Sequence, residues 1–81
     1  MNHPESDSKF YKGYRIKPLS NRLKNGNWDL EITLEKYLED EYIEKQFSSS
    51  NQFTSYEEAL AACIVFGQKI IDGSIDGLSA P

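Results

Sequence analysis

The sequence has little of what most catalytic and metal sites require. Its 81 residues include one cysteine, Cys63, and one histidine, His3. A single cysteine cannot form an internal disulfide, and no Cys/His spacing typical of a metal site is present. We therefore expect no metal and a reducing compartment, the cytoplasm. With its only histidine in a polar tail, the chain also offers no Ser/His/Asp set.

Long apolar runs and phosphate-binding loops are missing as well. No apolar run approaches the roughly 18 residues that span a bilayer, and residues 1–8 lack the apolar core of a signal peptide. Gly73 and Gly77 are not followed by the Lys-Ser/Thr pair of a phosphate-binding loop. Cys63 lies on the apolar side of a predicted helix, whereas a catalytic thiol needs an exposed, electropositive setting. We expect no membrane segment, no cofactor and no enzymatic activity.

What the sequence does contain is organised around one helix, predicted between Phe53 and Gly73. Ser55-x-x-Glu58 fits a capping box, as does the same pattern one residue earlier. Gly73 is placed as a left-handed C-terminal cap. Apolar residues recur at helical spacing on one broad face, namely Tyr56, Ala59, Leu60, Cys63, Phe66, Gly67 and Ile70.

Gly67 is the unusual member of that face, because an interior helical glycine costs roughly 0.5–1 kcal/mol relative to alanine. One interpretation is that the glycine is simply tolerated. The other is that the helix backbone packs closely against a large side chain of the sheet, for which Trp28 is the candidate.

Alternation of apolar and polar residues predicts three strands before the helix. They run from Phe10 to Pro18, from Trp28 to Tyr37 and from Tyr42 to Ser48, and Gly13 marks a bulge or a bend in the first. A polar loop from Ser48 to Gln52 then leads into the helix. The second strand should be central, and its helix-facing side chains are Trp28, Leu30, Ile32 and Leu34.

A tight turn at Glu39-Asp40 fixes the register of the second and third strands. The predicted cross-strand pairs are Tyr37 with Tyr42, Ile32 with Phe47, and Leu34 with Lys45. The expected fold class is α+β, a three-stranded antiparallel β-meander packed on one C-terminal α-helix (β-β-β-α). Residues 9–73 should form this single domain, between a disordered tail at 1–8 and a frayed tail at 74–81.

The net charge of −4 hides an uneven distribution, because residues 1–26 carry +4 and residues 27–81 carry −8. A basic segment of this kind can bind nucleic acid. The candidate phosphate-contacting residues are Lys12, Arg15, Lys17, Arg22 and Lys24. The alternative is that the basic first strand neutralises the acidic second strand across the sheet. Acidic side chains crowd the outer face and should repel phosphate; they are Asp29, Glu31, Glu35, Glu39, Asp40, Glu41 and Glu44.

The function favoured by the residues alone is that of a small, non-enzymatic protein-interaction module. Its outer sheet face or an unprotected edge strand would bind an unknown protein partner or a second copy of the chain. The alternative is a DNA-associated transcriptional regulator that uses the basic first strand and the loop after it.

Several short segments resemble a known family. They are Tyr11–Pro18, Gly26-Asn27-Trp28, Phe47, Phe53–Ala59 and Lys69–Asp72. Over about residues 10–73 the chain resembles the small bacterial HlyU-like family and related uncharacterised proteins of this length. The resemblance implies a β-β-β-α fold, and the family name suggests transcriptional activation. It brings no catalytic or base-reading motif, so it assigns no functional residue.

Overall fold

The strands and the helix follow one another along the chain and build a two-layer structure. In this computed structural model, which describes residues 7–81, the elements are β1 (Lys9–Tyr11), β2 (Tyr14–Pro18), β3 (Trp28–Tyr37), β4 (Tyr42–Phe53) and α1 (Tyr56–Ile71). The strands form one antiparallel sheet in the order β1-β2-β3-β4, and α1 packs on one face of it. The α+β class and the C-terminal helix are confirmed, but the sheet has four strands and not three. Most of the tail predicted at 1–8 lies outside the described residues.

The fourth strand arises from a chain reversal inside the segment predicted as one strand. Lys12 has φ 51° and Gly13 has φ 85°, and two successive positive φ angles are the pattern of a tight two-residue hairpin turn. Tyr11 and Tyr14 therefore pair with each other across the turn. The bend expected at Gly13 is a full reversal, so the prediction of a single strand from Phe10 to Pro18 is wrong.

The last strand is longer than predicted. β4 continues to Phe53 through the segment Ser48–Gln52, for which the sequence predicts a loop, so that prediction is wrong. Serine and asparagine have little intrinsic preference for strands, but the segment pairs with β3 at Ser48, Ser49 and Gln52. The register shifts where Leu30 pairs with Ser49 and Asp29 with Gln52, which leaves a β-bulge.

The predicted register of β3 and β4 is confirmed. The observed pairs include Tyr37 with Tyr42, Ile32 with Phe47, and Leu34 with Lys45. Because side chains alternate between the two faces of a strand, one correct turn position fixes the face of every residue before the bulge.

The core lies between α1 and the helix-facing side of the sheet. Its buried members are Ile16, Leu30, Ile32, Leu34, Phe47, Cys63 and Ile70. Three of the four side chains predicted to support the helix are at most 4% exposed. The fourth, Trp28, is only partly buried, and its ring lies at the rim against Tyr56, with ring centroids 4.9 Å apart.

Both ends of α1 carry the predicted caps. The Ser55 hydroxyl accepts a hydrogen bond from the Glu58 N–H at 3.2 Å. At the other end Gly73 has φ 76°, and its N–H donates to the Ile70 carbonyl at 3.1 Å. The N–H of Ser74 donates to the carbonyl of Lys69 at 2.8 Å, which completes a Schellman motif.

The segment after the helix contains no further helix or strand, yet it folds back on the protein. Ile75, Leu78 and Ala80 pack against the core, and the Tyr14 hydroxyl donates to the Pro81 carbonyl at 2.7 Å. A segment predicted to be a frayed tail thus contributes apolar side chains to the core.

Gly67 lies where the helix backbone packs closely against Ile16 of β2. A Cβ atom at this position would lie 2.6 Å from Cγ2 of Ile16, and Ile16 is completely buried. Close packing is therefore the correct interpretation of this glycine. The predicted partner Trp28 is wrong, since Ile16 takes that place.

The Gly67→Ala variant should be less stable than the wild type by about 1–3 kcal/mol, because the added methyl group overpacks the core at Ile16. Urea denaturation measures the change. The matched control is Ala61→Gly on the exposed side of the same helix, which should lose only about 0.5–1 kcal/mol of helix propensity. A Gly67→Ala protein as stable as the wild type would contradict the close packing.

Candidate functional site

Two surfaces are candidates for function: the sheet face opposite α1, and the strip of sheet beside β4 that α1 leaves uncovered. The face opposite α1 carries the polar side chains that alternate with the core residues. Two of them, Thr33 and Glu35, are only 4% exposed, although no helix covers them within the described part of the chain. Neighbouring side chains on the same face must therefore shield them.

Glu35 is the centre of a charge cluster on this face. Arg15 lies directly opposite Glu35 in the register, with its Nη1 atom 3.6 Å from Oε1 of Glu35. The Lys17 amine lies 3.8 Å from the other carboxylate oxygen. One buried carboxylate thus faces two cations of β2, as the alternative of cross-strand neutralisation predicts.

A tyrosine joins the cluster from β4. The Tyr42 hydroxyl lies 2.7 Å from a carboxylate oxygen of Glu35 and 2.7 Å from one of Glu44. These two acids are direct cross-strand neighbours, and like charges in such positions repel each other. The hydroxyl lies between them and can donate its one proton to either Glu44 or Glu35, which raises the pKa of Tyr42 above its usual value.

Lys12, the first of the predicted phosphate contacts, is tied to the end of the helix. Its amine lies 2.7 Å from one carboxylate oxygen of Asp72, and the Tyr11 hydroxyl donates to the other oxygen at 2.7 Å. Hydrogen bonding in this trio raises the pKa of Lys12 and lowers that of Asp72. Lys12 therefore fastens the β1–β2 turn to the helix C-terminus.

Arg22 and Lys24 lie on the loop between β2 and β3, and both are exposed. Backbone contacts shape this loop: the Leu23 N–H donates to the Asn27 carbonyl at 2.7 Å, and Arg22 forms an isolated antiparallel β-bridge with Trp28. Neither cation belongs to an ion pair within residues 7–81. The five predicted residues thus occupy three separate places and do not form one basic edge.

The second surface is a groove that the sequence analysis missed. α1 packs mainly over β2 and β3 and touches β4 less, so an open groove of about 570 Å³ remains between the helix and β4. Its apolar lining residues are Leu30, Phe53, Ala62, Val65, Phe66 and Ile75. The sequence held one signal for this groove, the apolar residue Val65, which broadens the helix face beyond what the core needs. In the structure Val65 is 47% exposed.

Cys63 is a packing residue, as the sequence predicts. It is completely buried, and its thiol donates to the Glu31 carbonyl at 3.5 Å. Burial raises the pKa of the thiol, so the reactive thiolate is disfavoured.

Neither a membrane-spanning helix nor a cluster of metal ligands is present within residues 7–81. In that range no helix is long and apolar enough to cross a membrane. No group of three or more His, Cys, Asp or Glu side chains there is arranged to hold a metal ion.

These features define a class of protein: a small α+β domain with an antiparallel sheet, one face free of helices, and an apolar groove beside an edge strand. The chain belongs to the HlyU family, whose model is described as transcriptional activator HlyU and matches residues 1–78. The resemblance noted in the sequence is thereby confirmed. No curated protein and no solved structure matches the chain.

The Tyr42 cluster predicts how stability changes in alkali. Because the folded protein holds the Tyr42 proton more tightly, the unfolded chain releases it first as the pH rises. The unfolded state then binds fewer protons, so the free energy of unfolding should fall above about pH 10. Urea denaturation at a series of pH values measures this decline, which should be smaller in Tyr42→Phe.

The Glu44→Gln variant is the graded comparison, because it removes one of the two carboxylates that hold the proton. Its alkaline decline should lie between those of the wild type and Tyr42→Phe. Identical pH profiles for all three proteins would show that the hydroxyl does not bridge the two acids.

Proposed function

We propose that this protein is a non-enzymatic regulator of transcription. The observation that carries the proposal is the family match, which covers residues 1–78 and is described as a transcriptional activator. The alternative function drawn from the residues, a DNA-associated regulator, is therefore favoured over the simple interaction module.

The non-enzymatic part of the proposal is supported by the chemistry of the Cys63 thiol and of the groove beside β4. The thiol of Cys63 is buried and has a raised pKa, so it is a poor nucleophile. The groove beside β4 has one charged lining residue, Lys69, whereas acid–base catalysis needs a positioned donor and acceptor pair.

Direct contact with DNA would use the loop cations Arg22 and Lys24. Both are exposed, whereas Arg15 and Lys17 face Glu35 and Lys12 is held by Asp72. When a cation that a carboxylate already neutralises contacts DNA, few counterions are released from the DNA. Such a cation therefore adds little to the affinity for DNA. We therefore expect weak, salt-sensitive binding that depends on the β2–β3 loop.

A second candidate function is that of a protein-interaction module within the same regulatory role. The observation that favours it is the apolar groove of about 570 Å³ between α1 and β4. Exposed apolar patches on small proteins often mark binding surfaces.

The regulatory role is tested by deleting the gene in its source organism and sequencing the cellular RNA. A defined set of transcripts should fall after deletion and return when the wild-type gene is supplied again. An unchanged RNA profile, or changes that the wild-type gene does not reverse, would argue against a role in transcription.

The DNA contact is tested by measuring affinity for mixed-sequence duplex DNA at several salt concentrations. Two phosphate contacts predict a slope of about −2 in the logarithmic plot of affinity against salt. Arg22→Ala and Lys24→Ala should each reduce its magnitude by about 1. Lys17→Ala is the matched control and should leave the slope unchanged, because Glu35 already faces that cation. Equal effects of all three variants would contradict the assignment.

A further inference from the structure

One edge of the sheet, that of β4, is open. β4 is the last strand of the sheet, so its outer edge has no partner strand within the described residues. Leu38 and Glu41 exchange backbone hydrogen bonds at the turn, at 2.8 and 3.4 Å. Because such pairs alternate along an antiparallel ladder, Glu44, Gln46 and Ser48 direct their backbone N–H and C=O groups to the free edge.

The groove lies on the helix-facing side of the C-terminal part of the same strand, where β4 contributes Ser49, Asn51 and Phe53. α1 forms one wall through Val65 and Phe66, and the sheet contributes Leu30 and Phe53. A chain laid along the β4 edge would project alternate side chains toward this groove. Unpaired backbone groups and an apolar groove are the two elements of peptide recognition by strand addition.

We propose that β4 and this groove bind an extended segment of a partner protein as a fifth strand, with alternate apolar side chains in the groove and a carboxylate at Lys69. The proposal rests on the second candidate function and names its class of ligand. The backbone of β4 supplies hydrogen bonds, and the groove selects the side chains.

The carboxylate follows from the charge of the groove. Lys69 is its only charged lining residue, it is exposed, and it forms no ion pair within the part of the chain that the structure describes. An acidic side chain or a C-terminal carboxylate on the bound segment would complement it.

A second copy of this chain fits the groove less well. The helix-facing side chains that another β4 would present before its bulge are Ile43, Lys45, Phe47 and Ser49, none of which carries a carboxylate for Lys69. Pairing of two β4 edges would also place two Lys45 amines on the same face. Inward-pointing lysines are a known means by which edge strands avoid pairing with their own copies.

The test is to select random linear peptides displayed on phage against the purified full chain, and then to synthesise the enriched peptides. They should share apolar residues at alternate positions and an acidic residue. Fluorescence anisotropy then measures their affinity for the wild type and for variants whose fold is confirmed by thermal unfolding.

Val65→Glu places a charge in the groove and should weaken binding at least about tenfold, which corresponds to about 1.4 kcal/mol. Its matched control is Ala61→Glu, an exposed position of α1 that does not line the groove and should leave affinity unchanged. Lys69→Glu should weaken the binding of acidic peptides. It should leave unchanged the binding of variants of those peptides in which the acid is replaced by its amide.

The proposed hydrogen bonds from the β4 backbone are tested with Gln46→Pro. This variant removes one outward N–H at a position where an edge strand tolerates proline. It should weaken binding, while Gln46→Ala should not. Peptides that bind equally well to all variants would show a binding module with its site elsewhere, and would overturn the groove while leaving the second candidate function intact. If no peptide is enriched on this protein relative to selection on an unrelated protein, the proposed groove site is overturned. The RNA test of the regulatory role does not depend on either result.

Sedimentation velocity tests whether a second copy of the chain occupies the groove instead. The wild type should be monomeric at the concentrations used for binding. A dimer that Val65→Glu dissociates would overturn the proposal, because a second copy would then occupy the groove.

Discussion

The close contact between Gly67 of α1 and Ile16 of β2 determines how the two layers fit together. Without a side chain at Gly67, the helix backbone settles onto a completely buried isoleucine, at a place where a Cβ atom would lie 2.6 Å from Cγ2. The helix is thereby drawn over β2 and β3. A single helix held in that position cannot also cover the long strand β4, so the groove follows from the same packing that closes the core.

The opposite face of the sheet shows why formal charge is a poor guide to a binding surface. The basic first third of the chain looks suited to phosphate, yet Arg15 and Lys17 lie within 4 Å of the same buried carboxylate, that of Glu35. Cations that already neutralise an acid contribute to the stability of the sheet rather than to a positive potential. Of the five candidate cations, the two that remain for a polyanion are Arg22 and Lys24, which are exposed on the loop between β2 and β3.

The sequence could predict the parts of this fold that local chemistry determines. Ser55 and Gly73 predict the helix ends, because capping depends on residues next to one another. The turn at Glu39-Asp40 predicts the register of β3 and β4. Other features depend on tertiary partners: β4 extends through a serine-rich segment because β3 pairs with it, and Ile16 meets Gly67 from a distant strand. The reversal at Lys12-Gly13 could be predicted from these two residues only by assigning a positive φ to the lysine.

The candidate sites differ in the same way. Candidate cations can be identified from a sequence, but a groove between two secondary-structure elements cannot. The structure also brings the two proposed surfaces together at one end of the sheet. The side-chain amides of Asn25 and Asn27, on the basic loop, donate to Gln52 of β4 at 3.2 and 3.1 Å, and the next residue, Phe53, lines the groove. A segment bound along β4 would therefore lie beside the loop proposed to contact DNA. Because only Arg22 and Lys24 of the five candidate cations lie outside an ion pair of the described residues, their phosphate contacts alone give little affinity, and the proposed regulatory role needs a partner bound at this end for its specificity.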